Sequence, residues 1–296
     1  MNWNTLSHLP KEKIQALQNK KLQQYIKHQI PYSPHYRAVF EEQGLSFSDF
    51  KTTDDLVKIP TIRKEDIAPT EEDRARPRKF ILQPDEHLLK KHAPKSQLLK
   101  IVGMKIAKRD PKPMLEWEYK PIHIHFTTGR TALPTPFTYS SRDLDLLKES
   151  GARLLNVIGI DSNQVAINAF PYSPHLAFWL AVYALQEIRM TGLHTGGGKI
   201  MGSTKILDAM ERMKASLVTV IPGYFYHMLR QAKEEGRNFE NLKYVVLGGE
   251  RVSPGFREKT RAMLETMGSK EPQFFATYAM TESKTAWIQC AEHTGY

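Results

Sequence analysis

Residues 215–250 read ASLVTVIPGYFYHMLRQAKEEGRNFENLKYVVLGGE, and this segment determines the fold class. Apolar and largely β-branched residues fill 217–220 and 244–247, which is typical of buried strands. Between them, residues 224–235 carry apolar side chains at helical spacing. A parallel partner strand needs a long crossover connection, and a helix is its usual form. The segment therefore predicts a strand–helix–strand unit in a parallel sheet.

The same alternation continues on both sides of this segment, from about residue 122 onward. Further strands are predicted at 122–126, 164–169, 188–193 and 273–278. Further helices are predicted at 143–157, 175–185, 203–214 and 254–267. We therefore expect an α/β fold with mostly parallel sheets flanked by helices. Functional loops are expected at the carboxyl ends of the strands, after residues 126, 169, 193, 247 and 278.

Composition narrows the class of protein. The chain has 296 residues, 41% hydrophobic and 25% charged, with a formal net charge of +10. These values exclude a disordered or fibrous chain, and the positive charge suggests a polyanionic partner. A single cysteine, Cys290, excludes an intrachain disulfide and fits a reducing compartment. No apolar run is long enough for a membrane span, so the expectation is a cytoplasmic protein.

The positive charge is concentrated upstream of the α/β part. Residues 11–40 predict two helices around a bend, whereas residues 87–112 carry eight Lys or Arg against one carboxylate, a net charge of +7. Apolar residues alternate with these charges in an amphipathic pattern that Pro94 and Gly103 interrupt. Residues 87–112 fit either a solvated pair of surface helices or a contact with an anionic membrane surface. No nucleic acid is expected, because no helix-turn-helix, zinc or stacking-aromatic signature accompanies the charge.

Three loops carry residue types suited to nucleotide chemistry. The first follows a strand and contains hydroxyls, a glycine and a cation that suit phosphate oxygens: Thr127, Thr128, Gly129, Arg130, Thr131 and Thr135. The second is Gly248-Gly249-Glu250, where glycines let a flat ligand approach the backbone. The third places Tyr278, Thr281 and Glu282 at a strand end, an aromatic ring, a hydroxyl and a carboxylate that suit a base, a phosphate and Mg²⁺. Taken alone, each loop is weak evidence for a site, and an ordinary turn is the simpler interpretation.

The order and spacing of the three loops together resemble the adenylate-forming superfamily of acyl-CoA synthetases, in its phenylacetate–coenzyme A ligase branch. Residues 127–135 resemble that branch's Ser-Ser-Gly-Thr-Thr-Gly-Lys-Pro-Thr phosphate loop. Residues 247–250 resemble its Gly-Ala-Glu adenine segment, and residues 278–282 its Tyr-Gly-x-Thr/Ser-Glu motif. Residues 32–37 and 59–66 are similar to its Pro-Tyr-Tyr-Arg and Leu-Pro-x-x-x-Lys-Glu-Asp-Leu motifs. The resemblance implies the N-terminal domain of that fold: a helical part at 1–70, a basic helical insertion at 71–121 and a nucleotide- and acyl-binding core at 122–296.

The resemblance also implies a role for each site residue. Residues 127–131 would wrap the β- and γ-phosphates of ATP, with Arg130 adding charge, and Thr135 would bind the nucleotide at the position where other branches have a lysine. Thr281 would contact the α-phosphate and Glu282 would hold Mg²⁺. Tyr278 would stack on adenine, and Gly248, Gly249 and Glu250 would line the adenine and acyl pocket. Tyr172 and His175 would lie near the carboxylate of the acid, and coenzyme A would accept the acyl group.

Several alternatives stay open at this point. Arg130, Ala132 and Ala279 depart from the family pattern and fit a non-catalytic acyl- or nucleotide-binding module as well. Acyl transfer to a protein thiol, with Cys290 as the candidate acceptor, is another alternative, and the sequence is compatible with a homodimer. The chain ends 14 residues after Glu282, before the lid domain that the family carries. We therefore expect weak nucleotide binding and no completed thioester formation from these 296 residues alone.

Overall fold

The computed structural model describes residues 3–6, 8–127 and 134–290. The chain forms two compact units, Met1–Arg142 and Asp143–Tyr296. The three-part division expected from the sequence stays a prediction. Within the described residues, none of the helices combines the length and the apolar content that a membrane span requires.

The first unit is mainly helical. Two helices meet at a short 3-10 turn, Ile30–Tyr32, which confirms the predicted bend, and Ser33 caps the second helix by accepting a hydrogen bond from the Tyr36 N–H. Ile26, Phe40 and Phe50 pack into its small core. The elements are α1 (Trp3–Leu6), α2 (Lys11–His28), α3 (Pro34–Glu42), α4 (Lys64–Ile67), α5 (Glu86–His92), α6 (Lys95–Ile106), α7 (Lys112–Tyr119), β1 (His123–Phe126) and β2 (Pro136–Tyr139), with further 3-10 turns at Phe47–Asp49, Thr53–Lys58 and Arg76–Phe80.

The basic segment is helical, as expected, but one predicted break is wrong. Pro94 separates α5 from α6, whereas Gly103 lies inside α6. A lone glycine costs a helix only about 1 kcal/mol, and Leu98, Ile101 and Met104 on the half-buried face favour continuing the helix.

The second unit contains a six-stranded sheet. Its strand order is β4-β3-β5-β6-β7-β8, with β3 to β7 parallel and β8 antiparallel to β7. The mostly parallel α/β class is thereby confirmed. From the unit boundary onward the elements are α8 (Ser141–Val157), β3 (Val165–Asn168), α9 (Leu176–Glu187), β4 (Thr191–His194), α10 (Ser203–Arg212), β5 (Leu217–Val220), α11 (Pro222–Glu234), β6 (Tyr244–Leu247), α12 (Pro254–Thr266), β7 (Gln273–Met280) and β8 (Thr285–Ile288).

Both faces of this sheet are buried, which explains the apolar strand runs. A hydrophobic cluster covers each face of the sheet. On β5, Leu217 packs into the cluster on one face and Val218 into the cluster on the other. On β6, Val245 and Val246 divide between the clusters in the same way. Alternate side chains of a strand point to opposite faces, so a fully apolar run marks a strand that is covered on both sides.

Candidate functional site

The centre of the second unit is a topological switch point between β3 and β5. The chain runs from β3 to β4 on one side and from β5 to β6 on the other, although β3 and β5 are neighbours. Open parallel sheets bind ligands in the crevice at the carboxyl ends of such strands. The loops that leave these ends are therefore the first place to look for a site.

A buried amide organises this crevice. Asn168, the last residue of β3, is fully buried, and its Oδ1 accepts hydrogen bonds from the Thr219 hydroxyl at 3.1 Å and from the Phe170 N–H at 3.2 Å. Its Nδ2 donates to the Phe178 carbonyl at 3.2 Å. A buried amide with its partners satisfied rigidifies its surroundings. Asn168 therefore fixes the direction in which the chain leaves β3 and links that loop to β5.

The last residue of β4 joins the same network as a neutral base. His194 Nδ1 lies 3.3 Å from Asn168 Nδ2, a group that can only donate. Burial lowers the pKa of His194, because a charged imidazolium loses its hydration there. A neutral imidazole that accepts at Nδ1 satisfies both observations.

A glycine-rich loop follows β4 and completes the crevice. The Thr195 hydroxyl donates to the Asn168 carbonyl and accepts from the Gly197 N–H, each at 3.1 Å. Gly196 and Gly197 have φ values of +70° and +77°, a region that favours glycine. The end of this strand was predicted from the sequence but residues 196–198 were not, although three consecutive glycines after a strand are a usable signal.

Of the two residues predicted near the acid, Tyr172 lies against this glycine loop. Its N–H donates to the Gly196 carbonyl at 3.0 Å, and its ring packs edge-on against Phe178 at 5.3 Å. The Tyr172 side chain is 58% exposed. His175 is the half-buried N-cap residue of α9. Their contact with an acid stays a prediction.

The loop after β6 depends on its glycines. A Cβ on Gly248 would lie 2.6 Å from Thr277 Oγ1 and 3.2 Å from the Phe170 ring, so the backbone passes too close for any side chain. Thr277 Oγ1 itself donates to the Leu247 carbonyl at 3.0 Å. Gly249 has a φ of +85°, which an L side chain rarely adopts. The packing of this loop therefore requires its glycines, whereas the approach of a flat ligand to the backbone stays a prediction. Thr277 is a contact that was not predicted from the sequence.

Glu250 has a structural contact in this loop. Its Oε2 accepts a hydrogen bond from the Gly223 N–H at 2.9 Å, in the first turn of α11. The first turn of a helix has unpaired N–H groups and a positive end, so a carboxylate stabilises it. This bond ties the loop after β6 to the loop after β5.

The third motif lies on the β7–β8 hairpin. Tyr278 and Trp287 are cross-strand neighbours, and their rings stack at 5.9 Å with an interplanar angle of 28°. Tyr278 is 53% exposed, so its ring offers surface for a ligand. Trp287 was not singled out from the sequence, because β8 itself was not predicted.

Thr281 and Glu282 form the turn of this hairpin. Thr281 is half-buried, Glu282 is exposed, and the Lys284 ion pair with Asp143 at 2.7 Å holds the turn against α8. Within the described residues, the Glu282 carboxylate has no cation within ion-pair distance. Mg²⁺ usually binds through one or two carboxylates, water and substrate phosphates. Glu282 therefore fits the metal role that the resemblance implies, although no cluster of three metal-ligating side chains occurs among the described residues.

The first of the three predicted loops, residues 127–135, belongs to the first unit and is only partly described. Thr128, Gly129, Arg130 and Thr131 lie outside the described residues. At the base of the loop, the Thr127 N–H donates to the Thr135 carbonyl at 3.2 Å. Both threonine hydroxyls are buried and have no hydrogen-bond partner within the described part of the chain. A buried hydroxyl without a partner costs about 1–3 kcal/mol, so these two groups suit an acceptor such as a phosphate oxygen.

Cys290 was the candidate acceptor for acyl transfer to a thiol. It lies two residues after β8 and is half-buried. Its proposed acylation stays a prediction.

Comparison with known proteins finds similarity to the same branch that the motifs resemble. No family model matches the chain. Phenylacetate-coenzyme A ligases from Thermus thermophilus and Aromatoleum evansii are each 22% identical to it, over 86% and 85% of the chain and 48% of their own lengths. The Escherichia coli enzyme of that name is 21% identical over 76% of the chain and 42% of its length. The chain thus spans about half the length of the curated relatives it matches.

Solved structures agree in fold. A 2-hydroxyisobutyryl-CoA ligase bound to 2-HIB-AMP and CoA aligns with a TM-score of 0.71 and 21% identity, over 96% of this chain and 55% of that chain. An open conformation of that ligase gives a TM-score of 0.68 and 22% identity, over 93% and 51%. A long-chain-fatty-acid-CoA ligase from Archaeoglobus fulgidus gives 0.51 and 16%, over 59% and 34%. The resemblance to phenylacetate–coenzyme A ligases and the fold of adenylate-forming CoA ligases are thereby confirmed.

Proposed function

We propose that this chain is the adenylating domain of an ATP-dependent carboxylate–CoA ligase that activates an aryl or fatty acid. The proposal depends on one observation: the 248–250 loop and the 278–282 segment lie at the carboxyl ends of neighbouring strands. β6 and β7 pair in parallel, with Leu247 opposite Ala276, so both segments leave the sheet at the same end. Gly248 and Thr277 touch there, beside the switch point between β3 and β5.

In the proposed reaction, a carboxylate oxygen of the acid attacks the α-phosphorus of ATP. A P–O bond to the acid forms, the bond to the β-phosphate oxygen breaks, and pyrophosphate leaves with its electron pair. No side-chain nucleophile takes part, so the protein acts by positioning two anions and neutralising the charge that develops. In this scheme Thr281 donates a hydrogen bond to the α-phosphate, and Arg130 and the hydroxyls of Thr127, Thr128, Thr131 and Thr135 hold the β- and γ-phosphates.

Mg²⁺, held by Glu282, would neutralise phosphate charge. The exposed Glu282 carboxylate, with no cation of the described chain beside it, supports this assignment. The remaining ligands of Mg²⁺ in such sites are commonly water and phosphate oxygens, so one carboxylate is enough.

The adenine ring would stack on Tyr278 and lie along the backbone of residues 248–250. The exposed Tyr278 ring and the absence of side chains at Gly248 and Gly249 support this arrangement. The acid would enter beside Tyr172 and His175. The bonded network of Asn168 and the neutral His194 would keep the floor of the crevice rigid.

Coenzyme A is the proposed acyl acceptor of the whole enzyme of which such a domain forms part. The relatives are named as coenzyme A ligases, and the aligned 2-hydroxyisobutyryl-CoA ligase holds 2-HIB-AMP and CoA.

The experiment measures exchange of labelled pyrophosphate into ATP with a panel of aryl and fatty acids and Mg²⁺. Exchange is expected only when the acid is present, and Glu282→Gln should lower it more than about 100-fold, because a metal and phosphate interaction of the transition state is lost. Ser283→Ala, in the same turn, is the matched control and should leave the rate unchanged. Acid binding without any binding of ATP·Mg²⁺ would refute the proposal and favour a non-catalytic acyl-binding module.

A further inference from the structure

Helix α6 presents an apolar face to solvent. Leu99, Val102 and Ile106 are 72%, 52% and 78% exposed. Residues three and four apart lie on the same side of a helix, so these three side chains form one continuous stripe, here called the α6 stripe. The opposite face, with Ile101 and Met104, is half-buried. Exposed apolar residues aligned on one face of a helix point to a binding surface more than scattered ones do.

Basic side chains border the α6 stripe on both sides. At about 100° per residue, Lys100 lies about 100° to one side of Leu99 and Lys105 about 120° to the other. Lys95 lies at the N-terminal end of the stripe, and Lys108 and Arg109 follow its C-terminal end. Within the described residues, none of these five cations has a carboxylate within 4 Å, whereas Lys90 on the preceding helix pairs with Glu86 at 2.8 Å.

An exposed aromatic residue lies beside α6, on the side of Lys100. Lys100, Met114 and Trp117 line a groove of about 390 Å³ where α6 meets α7. Trp117 is 46% exposed. Tryptophan is enriched where one end of its ring meets hydrocarbon and the other meets water, as at a bilayer interface.

From this arrangement we infer that α6 docks this protein on the surface of an anionic phospholipid membrane. The α6 stripe enters the boundary between headgroups and acyl chains, and the flanking lysines extend their stems along the stripe to reach lipid phosphates. The net charge of +7 over residues 87–112 is complementary to such a surface. A soluble polyanion would match the charge but would leave the stripe in water.

This surface lies outside every nucleotide motif, so the inference is independent of the proposed function. Docking on a membrane would bring the protein close to amphipathic acids that partition into the bilayer. If the proposed function also holds, such acids are candidate substrates.

The test is co-sedimentation of the full 296-residue chain with phosphatidylglycerol vesicles and with phosphatidylcholine vesicles. Binding is expected with the anionic vesicles, at least tenfold weaker with the neutral ones, and weakened by salt. The Trp117 emission should shift to the blue on binding, and Trp117→Phe should remove that shift without preventing sedimentation.

Two pairs of variants separate the apolar and the charged contributions. Leu99→Ser with Ile106→Ser should lower binding about tenfold or more, whereas Val57→Ser, at an exposed apolar position on another element, should not change it. Lys100→Glu with Lys105→Glu should abolish binding, whereas Lys13→Glu with Lys21→Glu changes the net charge equally and should reduce it much less. All seven positions are exposed, so the fold should persist in each variant.

Three results would overturn the inference. Equal binding to neutral and anionic vesicles would do so. Loss of binding on charge reversal without any effect of Leu99→Ser and Ile106→Ser would indicate a soluble polyanion such as RNA. A wild-type dimer that Leu99→Ser and Ile106→Ser convert to a monomer, with no vesicle binding, would indicate a second copy of the chain as the occupant.

Discussion

The carboxylate of Glu250 accepts a hydrogen bond from the backbone N–H of Gly223 at 2.9 Å. This bond closes the first turn of α11 with a side chain from the loop after β6. The motif that the sequence relates to adenine binding is thus also a helix cap. Its glutamate can therefore be tested for stability separately from any test of nucleotide binding.

Glu250→Ala should lower the free energy of unfolding by about 1 kcal/mol, because it removes a helix N-terminal acceptor. Glu250→Gln keeps an acceptor oxygen and should lose less. Denaturant unfolding measures both, with Glu258→Ala on an exposed face of α12 as the control, expected within about 0.5 kcal/mol of wild type. Equal stability of Glu250→Ala and wild type would show that the bond contributes nothing.

Gly248→Ala should destabilise the chain by about 1–3 kcal/mol, because the new Cβ overlaps Thr277 Oγ1. Thr277→Ala removes that oxygen, so Gly248→Ala should cost less in this background, a coupling that a double-mutant cycle measures. Gly255→Ala is the matched control, since nothing lies within 4 Å of its added Cβ. The same cost for Gly248→Ala in both backgrounds would contradict the contact.

His194 should make stability depend on pH. Burial lowers its pKa in the folded state, so the unfolded chain binds the proton more tightly. The stabilisation is therefore complete above the ordinary histidine pKa of about 6.5 and is lost as the pH falls below it. His194→Asn keeps an acceptor for Asn168 but does not titrate. The difference in unfolding free energy between wild type and this variant should shrink from pH 8 to pH 5, and a constant difference would refute the assignment.

Tyr278→Ala should weaken binding of AMP about tenfold, because stacking on a base contributes about 1–3 kcal/mol. Tyr278→Phe keeps the aromatic face and should bind within about twofold of wild type. Trp287 fluorescence is the readout, since its ring stacks on Tyr278. Unchanged affinity in Tyr278→Ala would place the adenine elsewhere.

The fold was predictable where a strand is buried on both sides. β5 and β6 are uniformly apolar because both faces are covered, and their predicted bounds are the observed ones. β2 and β8 were missed because neither is buried along its whole length, and β2 begins with a proline. Local composition carries little information about such partly exposed strands, which are defined by their partners.

The candidate site was predictable where the backbone requires an unusual local sequence. Gly248 and Gly249 stand out because the backbone there tolerates no side chain or adopts a positive φ. The network around Asn168 could not be found this way, because its partners Thr219 and His194 are 51 and 26 residues away. Only the sheet order brings them together.

If the chain is an adenylating domain, it should bind ATP·Mg²⁺ and a non-hydrolysable acyl-adenylate analogue, which calorimetric titration measures. Both ligands should bind saturably, with one molecule per chain. Glu282→Gln should weaken ATP·Mg²⁺ selectively, and Tyr278→Ala should weaken both ligands. A folded chain that gives no heat with either adenine ligand would contradict the proposed function.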